Sequence, residues 1–293
     1  MTPRTVVVGF DGSQIARASL GYAARRLGPG DRLVVAHVVA VPTAMLESPY
    51  YDQAMDRARE HARHVLDEAK GALPPDTQAD LRQLEGPPAR TLVELAQEVD
   101  ADEIAVGSRG FGSFRAAALG GTSHALLHES DRPVVVVTRR AVDRELRLAA
   151  AAGEAGEPPT VIVGYDGSDN ARAALDYATR RTQETGGNVI AVCAFYAPAD
   201  WLGSPYYQLA LDEHQERARE NTRDLENWPN VEADIVMAPP VEALTRVAQA
   251  RDASEIVVGA RGLGRFRAAL GSVSHGLLHE ADRPVVIVPA VGG

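Results

Sequence analysis

The sequence predicts an α/β protein of two tandem domains, each a doubly wound, five-stranded parallel sheet with helices on both faces. Two observations lead to this prediction: the chain repeats itself once, and each half alternates short apolar runs with helix-like segments. Residues 6–26 align with residues 161–181, and 14 of these 21 positions are identical. A repeat of half the chain indicates a duplicated domain, because solenoids repeat every 20–50 residues or so.

The first half follows a strand–helix pattern that occurs four times and closes with a final strand. Residues 5–10 form a continuous apolar run bounded by Asp-Gly, which is typical of a strand buried on both faces. The next segment has apolar residues at helical spacing, can be capped by Ser13, and ends at Gly28-Pro29-Gly30. The remaining predicted elements are strand 32–41, helix 52–71, a more exposed strand 78–84, helix 89–99, strand 103–107, helix 123–129 and strand 133–138.

Apolar strands joined by helical crossovers indicate a parallel sheet that is covered on both faces. Residues 141–159 are rich in Ala, Glu, Gly and Pro and indicate a linker, with a helical first part around residues 144–151. The second half repeats the plan from Thr160 to Pro289. The predicted domains are therefore residues 1–140 and 160–293, joined by the linker 141–159.

The composition restricts the class of protein. The net charge is −10, from 30 basic and 40 acidic residues, which argues against non-specific nucleic-acid binding because such binding needs a basic surface. The single cysteine, Cys193, leaves no intrachain disulfide and no cysteine zinc site. The sequence has no signal-peptide pattern and no apolar run near 20 residues, so we expect a cytoplasmic protein that does not bind membranes.

A glycine-rich stretch between a predicted strand and a predicted helix is the most informative feature. It runs from Gly107 to Thr122 and returns from Gly259 to Val273. Backbone N–H groups can converge on a phosphate at such a turn, and glycine allows close approach. The P-loop sequence Gly-Lys-Ser/Thr is absent, and so is Gly-x-Gly-x-x-Gly after the first strand, so neither of these nucleotide-binding patterns applies.

Asp11-Gly-Ser13 follows the first strand, and Asp166-Gly-Ser168 occupies the same place in the second half. Ligands bind outside the carboxyl ends of the strands in open parallel sheets, so one crevice holds Asp11 and the glycine-rich stretch if the first and fourth strands are neighbours. A carboxylate can bind the hydroxyls or an amine of a nucleotide, and backbone N–H groups can bind its phosphates. The two motifs together therefore match a nucleotide. Asp-Gly-Ser is also an ordinary turn and helix cap, and this alternative stays open.

Arginines in the glycine-rich stretches are candidate phosphate ligands, because guanidinium groups complement a triphosphate. They are Arg109, Arg115, Arg261, Arg265 and Arg267. Each one alone could equally be a solvated surface residue. Nothing in the sequence marks a general base beside Ser13 or Ser168, so hydrolase chemistry is not indicated.

Two pairs of histidines, His124/His128 and His275/His279, are spaced i, i+4 and could bind a metal. No third ligand is evident in the sequence. We place the pairs in the last turns of a helix, where histidine suits the negative end of the helix dipole, and this favours a structural explanation.

These motifs resemble the universal stress protein family in its tandem form. The family pattern is an Asp after the first strand, and Gly-x-x-Gly separated by nine intervening residues from Gly-Ser or Gly-Thr. The resemblance covers nearly the whole chain. It implies strand order 3-2-1-4-5 in each half, ATP binding with Mg²⁺, dimer-like packing of the halves and a homodimer. It also implies a role in stress response, dormancy or growth control, with weak ATP hydrolysis at most and a protein partner that the sequence does not identify.

The resemblance also implies which residues bind the nucleotide. In the first half, Gly9, Asp11 and Val38 would contact adenine and ribose. The phosphates there would be lined by Gly107, Arg109, Gly110, Gly112, Ser113, Gly120, Gly121 and Thr122. The corresponding residues of the second half are Gly164, Asp166, Ala194, Gly259, Arg261, Gly262, Gly264, Arg265, Gly271, Ser272 and Val273.

The two halves depart from the family pattern differently. Gly121 stands where the family has Ser or Thr, so a hydroxyl is missing unless Thr122 replaces it. The second half has eight residues between Gly262 and Gly271 instead of nine. We therefore expect ATP binding in at least one half, with unequal affinity.

Two other functions stay open. An interaction module without nucleotide is supported by these departures and by the apolar final strands, 133–138 and 284–288, which could pair across halves or subunits. A slow ATPase is the other alternative.

Overall fold

The computed structural model describes residues 3–40, 49–75, 77–109, 119–150, 158–197, 203–204, 206–260 and 270–290. The chain divides into two compact units, Met1–Glu154 and Ala155–Gly293. Among the described residues, no helix is long and apolar enough to cross a membrane.

Unit 1 is a five-stranded parallel sheet with helices on both faces, as predicted. Its strands are β1 (Thr5–Gly9), β2 (Arg32–Val39), β3 (Ala79–Glu85), β4 (Glu103–Gly107) and β5 (Val134–Val137), in the order β3-β2-β1-β4-β5. Its helices are α1 (Gln14–Arg25), α2 (Tyr51–Ala72), α3 (Pro88–Glu98), α4 (Gly121–Glu129) and α5 (Val142–Ala150).

Burial explains why these strands could be predicted. Every residue of β4 and β5 is buried, which matches sequences that are apolar or glycine at every position except Glu103. The edge strand β3 is only half-buried, in agreement with the alternating pattern that predicted a more exposed strand. Helices α1 and α2 contact each other, and α3 contacts α4, so the sheet is covered on both faces.

Unit 2 repeats the topology with the order β8-β7-β6-β9-β10, again all parallel. Its strands are β6 (Thr160–Gly164), β7 (Asn188–Phe195), β8 (Val231–Met237), β9 (Glu255–Gly259) and β10 (Val285–Val288). Its helices are α6 (Asp169–Thr185), α7 (Tyr207–Thr222), α8 (Pro240–Ala250) and α9 (Ser272–Glu280), and a 3-10 turn follows α7 at Arg223–Asn227.

Helix α5 lies in the segment that the composition indicates as a linker, and it packs against α1. Glu145 of α5 is fully buried and forms ion pairs with Arg25 of α1 and with Arg144. A Cβ added to Gly21 of α1 would lie 2.8 Å from Ala149 Cβ, so glycine is what lets the two helices approach so closely.

Candidate functional site

A cavity of about 270 Å³ opens at the carboxyl ends of β1, β2 and β4 in unit 1. Strand β1 pairs with β2 on one side and β4 on the other, so the cavity lies at the point where strand order reverses. This is where ligands bind in open α/β sheets. The lining residues are Gly9, Phe10, Asp11, Ala16, Ala36, His37, Val38, Pro88, Leu92, Val106, Gly107, Arg109, Gly120, Gly121, Thr122 and Ser123.

The cavity brings together eight of the residues that the resemblance implies for the first half. They are Gly9, Asp11, Val38, Gly107, Arg109, Gly120, Gly121 and Thr122. The other three, Gly110, Gly112 and Ser113, lie outside the described residues, as does Arg115.

Asp11 builds a turn and also lines the cavity. Its Oδ1 accepts a hydrogen bond of 3.0 Å from the backbone N–H of Ser13, and Ser13 Oγ accepts one of 3.2 Å from Ala16 N–H at the start of α1. The prediction that Ser13 caps this helix is therefore confirmed. Asp11 is only half-buried, so its carboxylate stabilises the turn and is also accessible from the cavity.

The N-terminus of α4 forms another part of the cavity wall. The helix begins at Gly121, two residues earlier than the sequence predicts, and its N-cap residue, Gly120, supplies no side chain to the first-turn N–H groups. Those groups lack intrahelical acceptors, and an N-terminus of this kind suits an anion. Gly120, Gly121 and Thr122 all line the cavity at this point.

Ser123 fixes this helix to the end of β4, a role that the sequence analysis missed. Its buried Oγ donates a 2.7 Å hydrogen bond to the carbonyl oxygen of Gly107. In unit 2, Ser274 Oγ donates a 2.8 Å bond to the carbonyl oxygen of Gly259. Identity between the two repeats was the signal that could have found these serines.

Packing accounts for two of the candidate glycines. A Cβ on Gly107 would lie 2.6 Å from Ile15 Cγ2, and a Cβ on Gly9 would lie 2.9 Å from Leu92 Cδ1. Nothing lies within 4 Å of a Cβ built on Gly121. Glycine is therefore needed at position 107, where the backbone of Ile15 is also close, whereas a side chain at position 9 would require Leu92 to move and position 121 has room for a side chain.

His37 is the other cavity residue with a polar side chain that the sequence analysis missed. Its Nδ1 lies 2.8 Å from the carbonyl oxygen of Phe10, and its ring meets that of His61 edge-on at 6.4 Å between centroids. The corresponding residue on β7 is Cys193, which is buried. Burial, together with the charge of Asp166, raises the pKa of the Cys193 thiol to about 11.

Unit 2 keeps the turn and the helix start but changes other side chains. Asp166 Oδ1 accepts a 3.1 Å hydrogen bond from Ser168 N–H, and Ser168 caps α6. Gly164 and Ala194 lie at or near the ends of β6 and β7, and Gly259 ends β9. Gly271 caps α9 without a side chain, Ser272 is its first residue and Val273 its second. The candidates Arg261, Gly262, Gly264 and Arg265 lie outside the described residues, as does Arg267.

The histidine pairs do not lie where the sequence analysis places them. His124 is the fourth of nine residues in α4, and His275 is the fourth of nine in α9. Only His128 and His279 occupy the last turn, so the helix dipole explains one histidine of each pair. Among the described residues, no group of three or more His, Cys, Asp or Glu side chains could hold a metal.

Known proteins resemble the chain over both units. The sequence model of the Universal stress protein family matches residues 2–138 and 159–289. A universal stress protein from Mycolicibacterium smegmatis is 28% identical over 299 residues, which cover 97% of this chain and 96% of that protein. A universal stress protein from Thermus aquaticus is 35% identical over 133 residues, which cover 44% of this chain and 97% of that protein.

A solved structure agrees on the fold. The crystal structure of a universal stress protein from Archaeoglobus fulgidus matches with a TM-score of 0.67 and 22% sequence identity, covering 99% of each chain. The parallel sheets described above therefore occur together in a solved protein of the same length.

Proposed function

Because the chain belongs to the universal stress protein family and carries two tandem copies of its domain, we propose that it is a stress-related protein that binds ATP. In this proposal ATP binds in unit 1 together with Mg²⁺. The bound nucleotide makes the protein a sensor or regulator in stress response or growth control.

The observation that carries the proposal is the cavity of unit 1, which joins three kinds of surface. Val38, Pro88 and Leu92 supply an apolar wall that suits adenine, and Asp11 supplies a carboxylate for ribose hydroxyls. The start of α4 supplies N–H groups for phosphates. A volume of about 270 Å³ is close to the lower end of the range for ligand pockets, about 300–1,000 Å³.

Charge supports binding of ATP with its phosphates at the start of α4 and its ribose at Asp11. Arg109 lies at the β4 side of the cavity, where a polyphosphate would meet α4, and Asp11 lies at the end of β1. A triphosphate placed against Asp11 would be repelled by the carboxylate. Mg²⁺ usually binds through substrate phosphates and only one or two protein groups, so a ready-made metal cage in the protein is not required.

The two units have different polar groups at equivalent positions, and we propose that their affinities for ATP differ. Unit 1 has His37 and Thr122 where unit 2 has Cys193 and Val273. Unit 2 has a hydroxyl at Ser272, where unit 1 has Gly121.

The first test is to denature protein purified without added nucleotide and to identify and count what is released. ATP at one equivalent or more per chain supports the proposal. Protein that releases none and does not bind ATP with Mg²⁺ on titration would favour the interaction module instead. A turnover assay with Mg²⁺ then separates a regulator from a slow ATPase.

Asp11→Asn tests the assignment of the carboxylate. Asparagine keeps an Oδ1 acceptor for Ser13 N–H, so the turn survives, but the charge and the second strong acceptor are lost. A charge-assisted hydrogen bond contributes about 1.5–3 kcal/mol, so we expect ATP affinity in unit 1 to fall by about 10- to 150-fold. Isothermal titration of the full chain measures this.

Asp166→Asn is the matched control, because it makes the same change in unit 2 at the same kind of turn. It should leave the tighter site unchanged if unit 1 holds that site. Equal ATP affinity of the Asp11→Asn variant and the unaltered protein would remove Asp11 from the binding site.

A further inference from the structure

Four of the eight histidines lie in two pairs on equivalent helices. His124 and His128 are the fourth and eighth residues of α4, and His275 and His279 are the fourth and eighth of α9. All four side chains are exposed. The nucleotide proposal uses none of them.

The two rings of each pair lie close together and are tilted by 50° in α4 and 59° in α9. Their centroids are 4.7 Å apart in α4 and 4.8 Å apart in α9. In α9 the two Nε2 atoms are 3.2 Å apart. An ion bonded to both nitrogens at about 2.0–2.1 Å, the usual Zn–N distance, would then have an N–Zn–N angle of about 100–106°. That angle is close to the tetrahedral value that zinc prefers.

Each helix holds its pair on a fixed frame. On the inner face of α4, Ser123 is bonded to β4 and Leu126 is fully buried. On the inner face of α9, Ser274 is bonded to β9 and Leu277 is fully buried. The histidines project from the opposite face, so a metal ion can reach them without opening the core. A cation beside His128 or His279 also lies near the C-terminal end of the helix, where the dipole favours it.

We propose that each unit binds one Zn²⁺ between the rings of its histidine pair, in unit 2 through the two Nε2 atoms. Both rings of the unit 2 pair then carry their proton on Nδ1, and water or another ligand completes the tetrahedral coordination. Imidazole suits zinc and copper, whereas Mg²⁺ prefers oxygen ligands, so this site is separate from any Mg²⁺ bound with a nucleotide.

Zinc competition against a chromogenic chelator tests the proposal, with the full chain free of any affinity tag. The unaltered protein should hold two Zn²⁺ per chain, and His128→Ala or His279→Ala alone should hold one. The double variant should lose both. Loss of an outer-shell partner alone weakens metal affinity by about 10–100-fold, so we expect the loss of a direct ligand to weaken each site at least tenfold.

Two further variants serve as controls. His64 pairs with Glu68, and His214 Nδ1 donates a hydrogen bond to the carbonyl oxygen of Tyr196, so neither control histidine is part of the α4 or α9 pair. His64→Ala and His214→Ala should keep both zinc ions, and millimolar Mg²⁺ should displace neither. Circular dichroism checks that each variant is folded. Zinc binding of equal strength in the unaltered protein and in the folded double variant would overturn the proposal.

Discussion

Gly121 lines the cavity, and no packing contact requires a glycine at its position. A side chain at this position meets nothing within 4 Å, and the position lines the cavity at the first residue of α4. Gly107, at the start of the same glycine-rich stretch, has no such room, because Ile15 packs against it. Gly121 can therefore be replaced to probe the cavity without disturbing the fold, whereas Gly107 cannot.

We predict that Gly121→Ser strengthens ATP binding in unit 1. The new hydroxyl adds one hydrogen bond to a phosphate, which contributes about 0.5–1.5 kcal/mol, or roughly 2- to 12-fold in affinity. Isothermal titration measures it. Ser272→Gly makes the reverse change in unit 2 and should weaken that site by a similar factor. Unchanged affinity in Gly121→Ser would mean that the phosphates do not reach the start of α4.

Cys193 gives a pH-dependent prediction at the same scale. Burial raises the pKa of its thiol from 9.0 to about 11, so at pH 8 the folded protein has almost no thiolate, which is the reactive form. We expect iodoacetamide to react with the native chain much more slowly than with the chain in guanidinium chloride. The native rate should rise towards pH 11, and equal rates in the two states at pH 8 would contradict the burial.

Ionisation of the Cys193 thiol also makes the free energy of unfolding depend on pH. Its folded-state pKa lies above the unfolded value, so the folded state keeps a proton that the unfolded chain has released between about pH 9 and pH 11. The stabilisation is fully present below pH 9 and is lost as the pH rises to about 11. Two pKa units correspond to about 3 kcal/mol.

At the scale of the element, α5 is held to α1 by buried charge. Both oxygens of the Glu145 carboxylate have arginine partners, and Arg25 Nη1 also donates to the Glu145 carbonyl oxygen at 3.2 Å. Removing one partner of a buried ion pair costs about 3–5 kcal/mol because the other charge stays buried. Arg25 and Arg144 keep about a fifth of their side-chain surface exposed, which lowers the cost.

We therefore predict that Glu145→Ala destabilises unit 1 by about 3 kcal/mol, the lower end of that range. Urea unfolding measures it. Asp143→Ala is the matched control, because Asp143 is an exposed carboxylate in the first turn of the same helix, and its loss should cost about 0.5 kcal/mol or less. If the two variants lose the same stability, the buried pairs do not hold α5.

The elements also show where sequence patterns suffice. Strands β1, β4 and β5 were predictable because they are apolar or glycine at every position after Thr5 and Glu103, the first residues of β1 and β4. The cap of α1 was predictable because Ser13 precedes an apolar helical pattern. The start of α4 was not predictable, because two neighbouring glycines indicate a loop when only local preference is considered. The bond from Ser123 to Gly107 holds this turn, and that bond depends on the position of β4.

At the scale of the whole molecule, the internal repeat predicted the architecture but not the chemistry of each half. The order β3-β2-β1-β4-β5 recurs as β8-β7-β6-β9-β10, so two sites of equal geometry could be expected. The contact of His37 with Phe10 and His61 arises from three separate elements, and no local pattern predicts it. The difference between His37 and Cys193 at equivalent positions can be interpreted only from the residues that contact each side chain in the folded protein.

The close contact between Gly21 and Ala149 has a consequence for the order of the two units along the chain. The residue of α6 that corresponds to Gly21 is Asp176, whose carboxylate pairs with Arg180 at 2.8 Å. A chain in which the sequence of α6 replaced that of α1 would place the charged side chain of Asp176 at the position where Gly21 lies against Ala149. The two copies have thus diverged at this position, and only the sequence of the first copy fits the packing of α5 against α1.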